Sequence, residues 1–191
     1  MGPGLNFGNP LAAADMCIEV AHPPIVKTLL WPDEAATQQF AQALAQQPAL
    51  RTAFIELHGD LGAGKTTFVR HLLRALGVQG RVKSPTYAVV EPYELEGFNV
   101  WHFDFYRFSD PREWEDAGFR DIFARPGLKL AEWPEKAAGF TPLADWVVHL
   151  EAVNEEARQV TVKAQTPGGM ALLQAIHPDT NPPAATGAKP S

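Results

Sequence analysis

The sequence predicts an α/β fold with a mostly parallel sheet centre, antiparallel edge strands and helices on both faces. Three observations lead to this prediction. Strand-like and helix-like segments alternate through the middle of the chain, as they do in folds built on a parallel sheet. One strand runs into a helix through a glycine-rich turn, which is typical of nucleotide-binding sheets. Two further pairs of strand-like segments are separated by short turns, which indicates antiparallel hairpins at the sheet edges.

The first half of the predicted domain contains two strands, each followed by a helix. Residues 25–30 form a short strand. A helix begins at residues 32–34, Pro-Asp-Glu, because acidic residues favour the first turn of a helix. Residues 54–58 form the second strand, and residues 67–76 form a helix with its apolar residues on one face. Gly77 marks the end of this helix, since glycine readily adopts the left-handed conformation found after helix C-termini.

The second half of the domain is richer in strands. One turn at residues 96–97 and another at residues 154–156 each join two strands into a hairpin. A helix begins at residues 110–113, Asp-Pro-Arg-Glu, which combines an Asp cap, a proline in the first turn and a glutamate at the third position. The predicted strands are residues 87–93, 98–105, 128–131, 146–151 and 159–163.

The two ends of the chain differ in composition from the middle. Residues 1–24 and residues 166–191 are rich in Gly, Pro and Ala and show no clear periodicity. Such segments bury too little apolar surface to offset the entropy lost on ordering. The sequence therefore predicts a flexible N-terminal extension, one folded domain at residues 25–165, and a disordered C-terminal tail, with a short helix at residues 170–176 as the alternative within that tail.

The glycine-rich turn carries the strongest functional signal. Residues 59–66 read Gly-Asp-Leu-Gly-Ala-Gly-Lys-Thr and match the Walker A pattern of a phosphate loop. Its backbone N–H groups and the start of the next helix attract phosphate, Lys65 reaches the β- and γ-phosphates, and the Thr66 hydroxyl ligates Mg²⁺. The alternative is a glycine-rich turn that holds no nucleotide. The residues predicted to contact the nucleotide are Asp60, Leu61, Gly62, Ala63, Gly64, Lys65, Thr66 and Thr67.

Two acidic residues end predicted strands, where ligands of such sheets bind. Asp104 ends an apolar strand and is predicted to be a second anchor for Mg²⁺, directly or through water. Its alternative is a solvent-facing acid or a helix cap. Glu132 ends the next strand and is predicted to orient or activate a water molecule. Its alternative is a salt bridge at the rim of the site.

Other side chains near these elements have two interpretations each. Residues 84–86, Ser-Pro-Thr, form either a plain turn or a switch in which Thr86 ligates Mg²⁺ when a γ-phosphate is present. Trp133 either stacks on a base or a partner or fills the core. The remaining candidates are interpreted mainly as core or surface residues: His58, His102, Arg107 and Arg120.

Composition excludes several classes of protein. The chain has 191 residues and an apolar fraction of 46%, which fits a single globular domain. A net charge of −6 argues against binding of nucleic acid over a broad basic surface, although it leaves room for a small basic patch. Cys17 is the single cysteine, so an internal disulfide is excluded. No apolar run reaches the roughly 18 residues of a membrane span, and the N-terminus lacks the basic start of a secretory signal. We therefore expect a cytoplasmic protein with no membrane contact.

Taken in order, four blocks of the sequence resemble the TsaE (YjeE) family of bacterial P-loop ATPases. The resemblance extends over about residues 25–155 and includes Gly-Phe-Arg-Asp-Ile-Phe at residues 118–123. Only the phosphate loop is specific by itself, whereas the ordered set is specific to the family. The blocks are residues 59–67, residues 84–87 (Ser-Pro-Thr-Tyr), residues 102–107 (His-Phe-Asp-Phe-Tyr-Arg) and residues 132–134 (Glu-Trp-Pro).

The resemblance implies a function that composition and spacing do not show. Members of the family serve in making threonylcarbamoyladenosine beside the anticodon of tRNA, acting with TsaB and TsaD while TsaC supplies the activated donor. The resemblance further implies that Lys65 contacts phosphate, that Thr66 and Asp104 serve Mg²⁺, and that Thr86 belongs to a switch-like loop. Glu132 and Trp133 match the functional Glu-Trp pair of the family. ATP and Mg²⁺ are thus the expected cofactors, and tRNA is expected to be met through the partners.

Three rival functions remain in view. A small-molecule kinase would share the phosphate loop, but no segment with clustered arginines follows the sheet to form its lid. A GTPase would need the guanine-reading Asn-Lys-x-Asp pattern, which the sequence lacks. A nucleotide-dependent scaffold that never hydrolyses ATP has no sequence signature that separates it from an ATPase.

Overall fold

A seven-stranded sheet organises the chain, and the computed structural model describes residues 23–176. Along the sheet the strand order is β1-β7-β6-β2-β5-β4-β3. None of the helices in the described part of the chain is long and apolar enough to cross a membrane. The strands are β1 (Ile25–Trp31), β2 (Phe54–His58), β3 (Val90–Leu95), β4 (Phe98–Asp104), β5 (Leu128–Glu132), β6 (Trp146–Ala152) and β7 (Arg158–Ala164).

The pairing confirms the predicted sheet. Strand β2 pairs in parallel with β5 and β6, and β4 pairs in parallel with β5, so four central strands run in the same direction. The β3–β4 and β6–β7 hairpins are antiparallel, and β1 adds antiparallel to β7 at the other edge. Because parallel strands end at one edge of a sheet, the segments after β2, β4 and β5 meet there.

Helices cover both faces, as predicted. They are α1 (Glu34–Ala45), α2 (Lys65–Ala75), α3 (Glu113–Asp116), α4 (Phe119–Ala124) and α5 (Pro167–Ala175), with short 3-10 helices at Pro48–Thr52 and Pro134–Ala137. The acidic start of α1 is a genuine cap, because the Asp33 carboxylate accepts a hydrogen bond of 2.8 Å from the Ala36 N–H. The Gly77 φ of +102° confirms the predicted end of α2.

Successive side chains of the central strands point to opposite faces of the sheet, so the core has two layers, one on each face. On β2, Ile55 and Leu57 point to the face covered by α1, α2 and α5, whereas Phe54 points to the face covered by α3 and α4. The second layer is largely aromatic, with the Phe103 and Phe119 ring centroids 5.3 Å apart in an edge-on arrangement. Both faces of the sheet are therefore buried, and its strand ends are held in fixed positions.

The predicted tail boundary at residue 165 is wrong for the segment that follows it. Residues 167–175 form α5, and Leu172 and Leu173 are each 1% exposed in the larger core. Thr166 caps the helix by accepting a hydrogen bond of 3.0 Å from the Gly169 N–H. Residues 1–22 and 177–191 lie outside the described residues, so the predictions of a flexible extension and of a disordered end stay predictions there.

The glycine and proline content that suggested disorder has a structural purpose in α5. Pro167 occupies the first turn, where its missing N–H costs nothing. Gly169 lies against β6, and a Cβ there would approach the Asp145 carbonyl oxygen to 2.2 Å. The Trp146 indole N–H donates a hydrogen bond of 2.7 Å to the Gly169 carbonyl. Glycine is required because the two backbones nearly touch.

The predicted strand from residue 87 begins later than expected. Residues 87–89 belong to a turn, with Val89 at a φ of +67°, and β3 starts at Val90. A left-handed residue cannot continue a strand, so the turn leaves Tyr87 85% exposed. This late start keeps the whole Ser84–Val89 segment beside the strand ends rather than in the sheet.

Candidate nucleotide-binding site

The predicted phosphate loop lies between β2 and α2 and has the required backbone geometry. Gly59, Gly62 and Gly64 have φ values of +140°, +82° and +104°. A Cβ on Gly59 would approach the Leu150 carbonyl oxygen to 2.4 Å, so only glycine fits there. Helix α2 begins at Lys65, which places its free N–H groups and the positive end of its dipole at the loop.

Lys65 is held against the loop and an aromatic ring. Its Nζ donates to the carbonyl oxygens of Gly59 and Asp60, the latter at 2.9 Å, and lies 3.9 Å from the Trp133 ring centroid. Burial lowers the pKa of Lys65, and the nearby carboxylates, Glu132 foremost, oppose that shift. The ammonium is thus placed within a cluster of negative charge at the strand ends.

Asp104 ties the Ser-Pro-Thr loop to the end of β4. It is 3% exposed, and its Oδ2 accepts hydrogen bonds from the Ser84 and Thr86 hydroxyls, the second at 2.7 Å. Its Oδ1 accepts a hydrogen bond of 3.0 Å from the Tyr106 N–H. The structure therefore brings together two segments that the sequence analysis selected separately, and the interpretation of Asp104 as a solvent-facing acid is wrong.

Glu132 lies beside Asp104, since the two residues are in register at the ends of β5 and β4. It is 2% exposed, so it is not a rim salt bridge. The Thr66 hydroxyl lies 2.8 Å from Oε2 and 3.0 Å from Oε1, and His102 Nε2 lies 2.8 Å from Oε1. Its carboxylate is therefore held from both sides, by the phosphate loop and by β4.

His102, interpreted from the sequence mainly as a core or surface histidine, lies in the core, but sequence reasoning missed its contact with Glu132. It is fully buried, and its Nε2 lies at hydrogen-bond distance, 2.8 Å, from Oε1 of Glu132. Within residues 23–176 its Nδ1 has no hydrogen-bond partner. The available signal was its position two residues before Asp104, which puts both side chains on the same face of β4.

Trp133 adopts a left-handed backbone conformation directly after β5. Its φ is +58°, which is unusual for a bulky residue and is kept only where the surroundings enforce it. The ring lies over Lys65 and 5.1 Å from the Tyr106 ring. Its role in binding a base stays a prediction, while its position at the loop is observed.

These residues line one cavity of about 360 Å³. Asp60 is outside the lining and contributes its carbonyl to Lys65 instead. Tyr106 was not anticipated. The lining residues are Leu61, Gly62, Ala63, Gly64, Lys65, Thr66, Thr67, Ser84, Thr86, Asp104, Tyr106, Glu132 and Trp133.

A second cavity of about 370 Å³ lies on the other side of the loop and shares Gly64 and Thr67 with the first. Sequence reasoning did not identify its walls. Arg158 supports the loop from this side, because its Nε donates a hydrogen bond of 3.0 Å to the Ala63 carbonyl. The other lining residues are Trp31, Asp33, Glu34, Thr37, Leu150, Glu155 and Glu156.

The weaker candidates lie away from both cavities. The Arg107 guanidinium stacks on the Tyr87 ring at 4.0 Å, and Arg120 pairs with Glu115 at 2.7 Å. His58 stacks on His149, with the ring centroids 4.7 Å apart. Their interpretation as structural residues fits these contacts.

The oxygen donors fit Mg²⁺ better than a transition metal. Among residues 23–176 there is no group of three or more His, Cys, Asp or Glu side chains that could hold a metal ion. Mg²⁺ needs no such cage, because it binds through one or two carboxylates together with substrate phosphates and water. The hydroxyl of Thr66 and the carboxylate of Asp104 line the same cavity as the phosphate loop.

Comparison with known sequences identifies the family. The sequence model described as "Threonylcarbamoyl adenosine biosynthesis protein TsaE" matches residues 31–160. This chain belongs to the TsaE family. A TsaE protein of Haemophilus influenzae is 42% identical over 139 residues, which are 73% of this chain and 87% of that protein. A TsaE protein of Synechocystis is 39% identical over 113 residues, which are 55% of this chain and 68% of that protein.

Comparison with solved structures supports the same fold. The crystal structure of Bacillus subtilis YdiB matches with a TM-score of 0.66 and 22% sequence identity. The match covers 80% of this chain and 95% of YdiB. The TsaE family match and the shared fold agree with the resemblance drawn from the four sequence blocks.

Proposed function

We propose that this TsaE-family chain binds ATP with Mg²⁺ and hydrolyses it in support of threonylcarbamoyladenosine synthesis on tRNA, in assembly with TsaB and TsaD. The observation that carries the proposal is the single cavity in which a phosphate loop meets Thr86, Asp104 and Glu132. Phosphoryl chemistry needs phosphate positioning, charge neutralisation and a group that orients the nucleophile. The cavity brings side chains for all three tasks together.

The two cavities suggest where the phosphates and the nucleoside of ATP bind on either side of the loop. The phosphates bind at the N-terminus of α2, where Lys65 exchanges its carbonyl partners for phosphate oxygens. The ribose and base extend past Gly64 and Thr67 into the second cavity, beside Trp31, so that Trp133 would contact the phosphate end of ATP instead of the base. The carboxylates that line this cavity, such as Asp33 and Glu155, suit the exocyclic amino group of adenine, which is a hydrogen-bond donor.

Thr66 and Asp104 would hold Mg²⁺, with Thr86 as a further hydroxyl ligand. Bound there, Mg²⁺ supplies positive charge to the β- and γ-phosphate oxygens. Glu132 orients the attacking water, because its carboxylate is buried and its remaining acceptor capacity faces the cavity. His102 keeps that carboxylate in place through its Nε2–H.

The same contacts suggest a switch. The Ser84 and Thr86 hydroxyls bond to Asp104, so the loop that carries them senses the occupancy of the cavity. Loss of the γ-phosphate changes the partners of these hydroxyls and with them the conformation of the loop. Differential affinity of TsaB and TsaD for the two loop conformations then links hydrolysis to the cycle of the assembly.

Phosphate release tests the proposal. The full chain is mixed with TsaB, TsaD and Mg²⁺-ATP, and the wild type is compared with Lys65→Ala and, as a surface control, Arg112→Ala. We expect loss of release in Lys65→Ala alone. Wild-type rates in Lys65→Ala would contradict the proposal, and tight ATP binding without release of phosphate by the wild type would favour a scaffold.

Mass analysis of tRNA nucleosides from cells that lack the protein tests its role in tRNA modification. An unchanged amount of threonylcarbamoyladenosine would refute that role.

A further inference from the structure

A third cavity adjoins the first one, here called the nucleotide cavity, and carries a concentrated positive charge. It has a volume of about 460 Å³ and shares Ser84 with the nucleotide cavity. We call it the basic cavity. Its lining consists of Arg70, Arg74, Arg81, Val82, Lys83 and Ser84.

Two elements of the fold fix these cations in place. Arg70 and Arg74 lie one turn apart on α2, four and eight residues beyond Thr66, so all three share one face of the helix. Val82 is 4% exposed and packs into the larger core. Arg81 and Lys83, on either side of it, are therefore held outward at the surface.

The four cations have no carboxylate partners in the described part of the chain. The arginine ion pairs among residues 23–176 join Arg112 to Asp110 and Arg120 to Glu115. Four uncompensated positive charges on one small surface are unusual in a protein with a net charge of −6. They repel one another unless an anion binds between them. Three of the four are arginines, whose planar guanidinium groups suit phosphate oxygens.

An exposed aromatic residue follows on the same loop. Tyr87 is four residues beyond Lys83 and is 85% exposed, and the Arg107 guanidinium lies 4.0 Å from its ring centroid. Cations beside an exposed aromatic ring are typical of surfaces that bind single-stranded nucleic acid, where bases stack on the ring and phosphates meet the cations. A protein partner would instead favour an apolar interface centre, whereas the one apolar residue lining the basic cavity, Val82, is buried.

We propose that the basic cavity and Tyr87 form a binding site for single-stranded RNA, with the phosphate backbone on the four cations and a base on the Tyr87 ring. The choice of RNA over other polyanions rests on the proposed function in tRNA modification. The site adds a direct RNA contact to a protein whose acidic net charge suggested that tRNA is met mainly through partners.

Salt-dependent RNA binding tests the cations. Fluorescence anisotropy of a labelled ten-nucleotide oligouridylate, and of bulk bacterial tRNA, is followed with the full chain at several salt concentrations. The triple variant Arg74→Ala/Arg81→Ala/Lys83→Ala should bind at least tenfold more weakly at low salt. Its slope of log affinity against log salt should fall by about 2, since each phosphate contact with a single strand contributes about 0.7.

A matched variant distinguishes RNA binding at the basic cavity from a general effect of losing positive charge. Arg112→Ala/Arg120→Ala/Arg125→Ala removes the same number of positive charges elsewhere on the surface, and it should bind RNA nearly as the wild type does. Tyr87→Ala should weaken oligouridylate binding by about tenfold without changing the salt slope, because stacking releases no counterions. Tyr87→Phe keeps a ring and should retain most of the affinity.

Three outcomes would overturn the proposal. One is absence of RNA binding by the wild type; another is an equal loss of affinity in both triple variants. The third is binding of polyglutamate as tightly as oligouridylate, which would assign the basic cavity to an acidic protein surface. Nucleotide binding and phosphate release are measured on the same proteins. Failed RNA binding with intact ATP turnover refutes only this site, whereas RNA binding without ATP turnover refutes only the proposed ATPase.

Discussion

Two regions of the molecule are held together in different ways: the nucleotide cavity at the strand ends, and the contact between α5 and the start of β6, here called the α5 contact. At the cavity, buried polar side chains from distant segments satisfy one another, as Thr66, His102 and Glu132 do. At α5, apolar side chains and two backbones pack together around Trp146 and Gly169. The difference teaches that the cavity keeps polar and charged side chains buried at some cost in stability, as the proposed ATPase would require, whereas α5 contributes to stability. Substitutions in the two regions should therefore separate activity from folding.

The largest effect is expected at Glu132. Glu132→Gln keeps the size of the side chain and removes the charge that we propose orients the attacking water. ATP hydrolysis in the presence of TsaB and TsaD should fall by about 100-fold or more, as expected for loss of a positioned base. ATP affinity and the melting temperature should change little. Hydrolysis at the wild-type rate would show that the buried carboxylate is structural. The two regions would then not differ in their effects on activity and stability.

The α5 contact should show the opposite behaviour. Gly169→Ala places a Cβ about 2.2 Å from the Asp145 carbonyl oxygen and should destabilise the protein by about 2 kcal/mol. The melting temperature should drop by roughly 4–8 °C while hydrolysis per folded molecule is retained.

Gly168→Ala is the matched control for that change. A Cβ there finds its nearest neighbour, the Asp145 Oδ1 atom, at 3.6 Å, which is an ordinary contact. Gly168→Ala should therefore be neutral or slightly stabilising, since alanine is the better helix former. Equal melting temperatures for the two variants would contradict the close docking of α5.

A smaller effect on activity is expected at His102, which acts through Glu132. His102→Leu removes the Nε2–H donor and should lower the rate of hydrolysis by about tenfold, as losses of orienting partners typically do. His102→Gln offers an amide N–H in a similar position and should recover part of that rate. ATP affinity, measured by titration with a fluorescent analogue, should be the same in both. If Leu and Gln lower the rate equally, His102 does not position the carboxylate.

The smallest effect concerns pH. Burial holds the pKa of Lys65 below its ordinary value of 10.5, so the folded protein releases this proton before the unfolded chain does. Between the lowered pKa and 10.5 the unfolded state binds more protons, and the Lys65 contribution to stability rises with pH. Lys65→Met lacks this contribution. The melting temperature of the wild type relative to Lys65→Met should therefore increase toward pH 10.5, and a decrease would contradict the burial of Lys65.

Much of the cavity could be predicted from the sequence because phosphate binding demands particular residues at particular places. The loop glycines, Lys65 and Thr66 follow from one local motif, and Asp104 and Glu132 follow from the rule that ligands bind at strand ends. The contact between His102 and Glu132 was not predicted, because a histidine inside an apolar strand is usually structural. Its partner, Glu132, is 30 residues away, and no local pattern links them.

The α5 contact could not be predicted for a different reason. Pro167 and Gly169 lower the apparent helix propensity of their segment, yet one fits the first turn and the other permits contact with Asp145. Only the tertiary structure shows that position 169 requires a residue without a side chain. The same limit applies to Arg158, which supports the loop from a hairpin 95 residues away.

The dependence of phosphate release on Mg²⁺ tests the central claim most directly. Asp104→Asn keeps the size of the side chain and an oxygen that accepts from Thr86, but it removes the negative charge. With TsaB and TsaD present and saturating ATP, we predict that Mg²⁺ accelerates phosphate release by the wild type and gives little or no acceleration for Asp104→Asn. Equal acceleration of both proteins by Mg²⁺ would contradict the assignment of this cavity as the site of Mg²⁺-dependent ATP hydrolysis.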